Sequence, residues 1–143
     1  MHIRRRVYNS GMKHGSKSAD LAGVFAALAD TTRLRLLNLM NGREVCVCYF
    51  VQILGQGQPK ISRHLAYLRK AGLVAARREG KWMHYRIVPQ ADDATASILD
   101  AVLASFGSDR QMQTDRARLD RACCARRTLV VPVGAPRPAA LAQ

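Results

Sequence analysis

The segment 58–73, with the sequence QPKISRHLAYLRKAGL, decides the fold that we predict for this chain. Pro59 suits the first turn of a helix, where its missing N–H leaves no hydrogen bond unmade. Ile61, Leu65 and Leu68 recur at the spacing of one helix face, and a glycine follows near the end. The opposite face carries polar and basic side chains of the types that read base edges in the DNA major groove. A solvated surface helix is the alternative interpretation of this pattern.

The segments on either side extend the prediction to a winged helix-turn-helix. Upstream, the apolar run 49–54 suits the first helix of a helix-turn-helix, with residues 55–57 as the turn. Downstream, 74–78 and 82–88 have the pattern of two strands joined by a glycine-containing turn. Helix, turn, helix and basic hairpin is the order typical of a winged helix-turn-helix.

Further helices are predicted outside this central segment. Residues 18–30 form one helix, whose expected apolar face is Leu21, Val24, Phe25 and Leu28. Residues 32–40 follow, with Asp30 or Thr31 as the N-cap. After the wing, 91–106 form a helix with a stripe of small residues, and 110–127 are predicted to be helical with only a weak apolar face. The stripe consists of Ala94, Ile98, Ala101, Val102 and Ser105. The predicted fold class is mainly α with a β-hairpin wing.

We expect three parts along the chain. Residues 1–17 form a flexible basic N-terminal arm, and residues 18–108 form the winged helix-turn-helix and dimerisation domain. Residues 109–143 form an Arg-rich C-terminal extension with a Cys-Cys pair and a disordered, proline-containing tail.

Charge indicates the class of partner. The formal net charge is +13, and residues 60–86 contain eight Lys or Arg against one Glu. Such a basic centre favours contact with phosphates. The sequence lacks a run of about 18 apolar residues and any secretory signal, so we expect a cytoplasmic protein that binds DNA and no membrane.

The four cysteines indicate metal or redox chemistry. They lie at Cys46, Cys48, Cys123 and Cys124, and paired cysteines in a reducing compartment rarely form structural disulfides. Soft thiolates suit As(III), Sb(III), Cd(II), Pb(II) and Zn(II). Residues two apart in an ideal helix point about 200° away from each other, so chelation by Cys46 and Cys48 would distort that turn. Two small buried residues are the alternative interpretation.

Four motifs together resemble the ArsR/SmtB family of bacterial metal-responsive repressors. They are ALADTTRLRLL at 27–37, EVCVC at 44–48, QPKISRHL at 58–65 and GKWMHYR at 80–86. The EVCVC segment resembles the arsenic-sensing ArsR branch, and the similarity covers about residues 19 to 90. The resemblance implies a homodimer through the first and last helices that binds an inverted-repeat operator in double-stranded DNA. It also implies release of the operator when As(III) or Sb(III) binds cysteine thiolates.

One departure from the family pattern concerns the third thiolate. Arsenic-sensing relatives often carry a further cysteine where this chain has Tyr49-Phe50-Val51. The resemblance therefore makes Cys123 or Cys124, from the same subunit or its partner, the candidate third ligand beside Cys46 and Cys48. A methylated or phenyl arsenical could use Cys46 and Cys48 alone, and a bystander pair in a flexible tail is the alternative interpretation of Cys123 and Cys124. The family's other sensing site uses Asp and His on the last helix, and no histidine follows His84, so we expect no zinc site there.

The candidate DNA-binding residues lie on the helix predicted at 58–73, here called the reading helix, and on the wing. They are Gln58, Lys60, Ser62, Arg63, His64, Tyr67, Lys81, His84 and Arg86. No catalytic constellation is present, so we predict that the chain is not an enzyme. Two alternatives remain: a thiol-based redox-sensing repressor that uses the same cysteines, and a non-specific basic DNA-binding or metal-buffering protein.

Overall fold

The chain folds as helices around a small antiparallel sheet. A computed structural model describes residues 17–124 and 139–140. In this part the helices are α1 (Lys17–Leu28), α2 (Thr31–Met40), α3 (Val47–Leu54), α4 (Gln58–Lys70), α5 (Asp93–Ser105) and α6 (Arg110–Cys124). The strands are β1 (Arg43–Cys46), β2 (Val74–Glu79), β3 (Trp82–Ile87) and β4 (Ala139–Ala140), and a 3-10 turn at Phe106–Ser108 joins α5 to α6. The predicted fold class is confirmed.

Helices α3 and α4 form the helix-turn-helix. Gly55 ends α3 in the left-handed conformation, with φ 66°, where a residue with a Cβ would be strained. Pro59 stands in the first turn of α4. Ile61, Leu65 and Leu68 are buried, as the helical spacing predicts. The face of α4 opposite to them is therefore the face turned away from the core.

The sheet contains the predicted wing and two strands that were not predicted. Its order is β2-β3-β1-β4. Strand β1 pairs with β3 through Val45–Tyr85 and Cys46–His84. β1 has four residues and begins with two charged ones, so it lacks the alternation by which strands are recognised.

The last strand corrects one prediction about the tail. Ala139 and Ala140 pair with Glu44 and Arg43 at the outer edge of β1. The prediction of disorder is wrong for these two residues, because β1 offers them an unpaired edge. Residues 125–138 and 141–143, and the predicted arm at 1–16, lie outside the described residues.

Helices α1 and α5 leave apolar residues outside the core. On α1, Val24 and Leu28 of the predicted apolar face are buried, whereas Phe25 is 51% exposed in the single subunit. On α5 the buried residues are Thr95 and Leu99. The small-residue stripe of α5 lies beside these two residues, exposed or half-buried. Ile98 and Val102 of the stripe pack against the core, whereas Ala94, Ala101 and Ser105 are exposed.

Helix α6 packs on α2 and α3 and belongs to the same core. Its inner face is Met112, Asp115, Leu119 and Ala122, all buried. The Arg35 guanidinium donates to the Asp115 carboxylate at 2.7 and 2.9 Å. Arg118 donates to the carbonyl of Ile53 at the end of α3, at 2.7 Å. The boundary predicted at 108/109 therefore does not separate α6 from the folded domain.

Within the described residues, none of the helices is long and apolar enough to cross a bilayer.

Candidate thiol site and nucleic-acid interface

The two cysteines of the EVCVC segment meet at the junction of β1 and α3. Cys46 is the last residue of β1 and the N-cap of α3, with extended backbone (φ −72°, ψ 143°). Cys48 lies in the first turn of α3, and its Sγ is 3.3 Å from Sγ of Cys46. The prediction that the two sulfurs diverge around a helix is wrong, because the first of them stands on extended backbone. The sulfurs converge without any unwinding of α3.

The two thiols differ in acidity, because the Cys48 thiol donates a hydrogen bond to the Cys46 sulfur. The pKa of Cys46 is lowered to about 7, because the Cys48 thiol donates a hydrogen bond to its sulfur. The backbone N–H groups of Val47 and Cys48 also lower this pKa, whereas burial opposes the shift. The pKa of Cys48 is raised far above its ordinary value, because its proton is held by Cys46 and the site is partly buried. Cys46 is therefore the more acidic of the two thiols and is partly ionised near neutral pH, at the N-terminus of α3.

A charged group of side chains links this junction to the wing. Arg77 on β2 donates to the Glu44 carboxylate at 2.5 Å and lowers the pKa of that carboxyl. His84 on β3 lies opposite Cys46 in the sheet, with its Nδ1 3.9 Å from Oε1 of Glu44. His84 is only 3% exposed, so the prediction that it contacts DNA is wrong. His84 pairs with Cys46 on β1, and β3 lies between β2 and β1 in the sheet.

Among the described residues, His, Cys, Asp and Glu do not form a group of three or more suited to holding a metal ion. Cys46 and Cys48 are therefore a two-sulfur site in this part of the chain. Cys123 and Cys124 occupy the last turn of α6, and their side chains lie outside the described part.

The reading helix presents its predicted residues in two groups. Gln58, Lys60 and Arg63 are exposed, and Ser62 is half-buried beside them. His64 is turned toward the α1–α2 connection. Its Nδ1 lies 3.7 Å from the Asp30 carboxylate. The first group faces solvent at the N-terminal half of α4, the part of a recognition helix that contacts base edges.

Tyr67 and the wing complete the exposed basic surface. The Tyr67 ring is 45% exposed and lies under the Arg33 guanidinium, with 4.1 Å between Cζ and the ring centroid. Lys81 is exposed at the tip of the wing, with its Nζ 5.2 Å from the Trp82 ring, and Arg86 is half-buried.

Sequence reasoning missed the partners of several arginines. The structure pairs Arg35 with Asp115, 80 positions away, and directs Arg33 to backbone carbonyls of α1. No spacing in the sequence indicates partners this remote.

Comparison with known proteins identifies the relatives of this chain. The family model described as "Bacterial regulatory protein, arsR family" matches residues 30–76. The arsenical resistance operon repressor of Escherichia coli is 49% identical over 78 residues, which cover 54% of this chain and 67% of the relative. The arsenic resistance transcriptional regulator ArsR2 of Pseudomonas putida is 42% identical over 81 residues, covering 56% and 70%.

Solved structures agree with this comparison. The AntR antimony-specific transcriptional repressor superposes with a TM-score of 0.52 at 28% identity, covering 68% of this chain and 86% of that one. HlyU from Vibrio cholerae, with a TM-score of 0.57 at 24% identity, shares the fold and covers 66% of this chain.

The fold and the exposed basic helix define a DNA-binding transcriptional regulator of the winged helix-turn-helix class, and the chain is not an enzyme. Within this class, the chain belongs to the arsR family of bacterial regulatory proteins. The predicted family is confirmed.

Proposed function

We propose that this chain is a metalloid-responsive repressor, which binds an inverted-repeat operator as a homodimer. Trivalent arsenic or antimony, bound by Cys46, Cys48 and one of Cys123 or Cys124, releases it from DNA. The observation that carries the proposal is the 3.3 Å approach of the Cys46 and Cys48 sulfurs at the start of α3. The names of the relatives, which include repressors of arsenical resistance and an antimony-specific repressor, support the choice of metalloid.

The sulfur geometry supports chelation of one ion by both cysteines. A metal bonded to two sulfurs at about 2.3 Å with a tetrahedral angle separates them by roughly 3.8 Å. The pair, at 3.3 Å, therefore needs to open by only about 0.5 Å to take such an ion. With arsenous acid, As(OH)3, each thiol would exchange its S–H bond for an S–As bond, one As–OH bond would break for each sulfur bound, and the thiol proton would leave with that hydroxide as water. Cys46, the more acidic thiol, bonds first.

The path of α6 supports a third sulfur from the same subunit. Asp120 on α6 pairs with Arg43 at the start of β1, at 2.8 Å. Cys123 and Cys124 follow within the next turn of the helix. Asp120 thus ties this part of α6 to Arg43, the first residue of the strand that ends at Cys46.

Two connections lead from the thiols to the DNA-binding surface. Helix α3 begins at the cysteines and ends at the turn before α4. Strand β1 pairs with β3 of the wing, and Glu44 holds Arg77 on β2. Metalloid binding that shifts either connection displaces residues that contact DNA. A coupling free energy of about 1–3 kcal/mol lowers the affinity by roughly 5- to 150-fold.

The apolar surface left open by the subunit supports the homodimer. Phe25 on α1 is exposed, and the stripe of α5 is exposed or half-buried. A two-fold dimer through these helices presents its two α4 helices to successive turns of the major groove.

Fluorescence anisotropy tests the proposal. A labelled duplex, selected from a random-sequence library by the wild-type protein, is bound in the presence of a reductant and then titrated with arsenite. We expect release from wild type, and retention by Cys46→Ser and by Cys48→Ser at the same arsenite concentration. Equal release from all three proteins contradicts the proposed site.

The same sulfur distance favours a second candidate, a redox-sensing repressor. Two thiols at 3.3 Å can lose two electrons and two protons to an added peroxide and form a Cys46–Cys48 disulfide. Release by peroxide without release by arsenite would favour this candidate over the metalloid sensor.

A further inference from the structure

The Arg33 guanidinium lies at the corner where α1, α2 and α4 meet. Its Nε donates to the carbonyl of Ala27 at 2.7 Å, and its Nη2 donates to the carbonyl of Ala26 at 3.0 Å. Its Nη1 lies 3.3 Å from Nδ1 of His64, and its Cζ lies 4.1 Å above the Tyr67 ring. Each of its three nitrogens and one of its faces thus meets another group of the protein.

The groups that contact Arg33 belong to two different helices, α1 and α4. Ala26 and Ala27 are in the last turn of α1, where carbonyls attract a cation. His64 and Tyr67 are three residues apart on α4 and are therefore neighbours on the helix surface. Asp30, the N-cap of α2, lies 3.7 Å from His64. Arg33 joins the end of α1 to the exposed face of the reading helix.

We propose that Arg33 is a positioning residue for DNA reading, which fixes the angle between α1 and α4 and holds Tyr67 in place on the reading face. The inference rests on the proposed operator binding. Arginine suits this role because its planar fork can donate along its edge while an aromatic ring covers its face. Since its nitrogens are directed at protein groups, Arg33 is not a phosphate ligand.

Salt dependence distinguishes positioning from phosphate contact. Arg33→Met removes the charge and the fork but keeps a long side chain. We expect about a tenfold loss of operator affinity, the equivalent of one charge-assisted hydrogen bond, with the slope of log K against log salt unchanged. Lys60→Met, which removes an exposed cation on α4, is the matched control and should lower that slope by about 0.9. A similar fall of the slope in Arg33→Met overturns the proposal.

Competitor DNA separates positioning from a merely structural role. Loss of folded protein weakens binding to all sequences equally, whereas a misplaced α4 loses mainly the selected operator. We therefore expect the ratio of operator to random-duplex affinity to fall about tenfold in Arg33→Met. An unchanged ratio, together with a lower unfolding temperature, means a structural role only and overturns the proposal.

A double-mutant cycle tests the contact with Tyr67. Because the ring and the guanidinium act together, Arg33→Met and Tyr67→Leu should each weaken operator binding, and the double variant should lose little more than either. Additive losses contradict the proposal. Tyr67 lies on the surface, so its replacement does not put folding at risk.

The free protein provides a readout that does not depend on the operator. Burial lowers the pKa of His64, Asp30 raises it, and the cations Arg33, Lys60 and Arg63 lower it. Loss of Arg33 should raise this pKa, as followed by NMR titration of the imidazole, and an unchanged value overturns the proposed contact. If wild type binds no selected duplex while this titration shifts, the proposed function fails and the contact at the corner stands.

Discussion

The β1–α3 junction and helix α4 follow one another in the chain, yet their chemical groups face opposite ways. At the junction, Cys46 is 0% exposed and its sulfur meets the sulfur of Cys48. On α4, Gln58, Lys60 and Arg63 are exposed. The junction is suited to hold a small ion, and α4 is suited to meet a large external partner.

This difference indicates how sensing and DNA binding are divided. The eight residues of α3 separate the two surfaces, and α6 supports both of them by packing on α2 and α3. An ion bound at the junction, as we propose, would therefore act on α4 through α3 and the helices packed on it rather than by contacting the same side chains.

The largest effect on stability is expected from loss of the Arg35–Asp115 contact, which anchors α6 to α2. Asp115→Ala leaves the Arg35 guanidinium without its buried carboxylate, so the free energy of unfolding should fall by about 3 kcal/mol, measured by urea denaturation. Asp120→Ala, on the same helix, removes an exposed pair with Arg43 and should cost less than about 1 kcal/mol. Similar costs for both variants would mean that α6 is not anchored through Asp115.

The next effect concerns the junction alone. In a Cys123→Ser/Cys124→Ser background, the ultraviolet absorbance of the thiolate should titrate with a midpoint of about 7, set by Cys46. Cys48→Ala removes the S–H donor, and the midpoint should rise to about 8.5, the ordinary thiol value. The thiolate fraction at neutral pH therefore falls in this variant. Equal midpoints in the two proteins would contradict the sulfur–sulfur hydrogen bond.

The smallest effects are expected on the exposed side. Arg63→Ala should cost about 1–3 kcal/mol at one operator position and relax specificity there, measured with single-substitution duplexes. Lys81→Ala, at the wing tip, should weaken all duplexes alike and reduce the salt slope by about 0.9. If Arg63→Ala also weakens all sequences alike, its role is phosphate contact instead.

Local patterns were enough to predict α4. Its proline, its apolar spacing and the glycine after it are all within 16 residues, and the buried residues Ile61, Leu65 and Leu68 are those expected. The wing was predictable for the same reason, since its strands are adjacent and joined by a short turn.

Features set by remote partners were not predictable. Strand β1 exists because β3, about 40 positions later, pairs with it. That pairing holds Cys46 in extended backbone and brings the sulfurs together. It also buries His84, although its sequence neighbours Met83 and Tyr85 are only half-buried.

Composition alone also misleads for the arginines. Helices α4 and α6 are both rich in basic residues, but Arg116 and Arg118 on α6 donate to the backbone carbonyls of Asn38 and Ile53. These arginines hold helices together, whereas Arg63 on α4 remains exposed. The burial of an arginine determines whether it donates to the protein's own backbone or stays exposed.

X-ray absorption at the arsenic edge tests most directly whether Cys46 and Cys48 bind one metalloid together. We predict that arsenite-loaded wild type has arsenic bonded to three sulfurs. Cys123→Ser/Cys124→Ser should retain arsenic with two sulfurs and an oxygen, and Cys46→Ser/Cys48→Ser should not retain it. Arsenic held by three sulfurs in that last variant would contradict the account, since the β1–α3 junction would then not be the metalloid site.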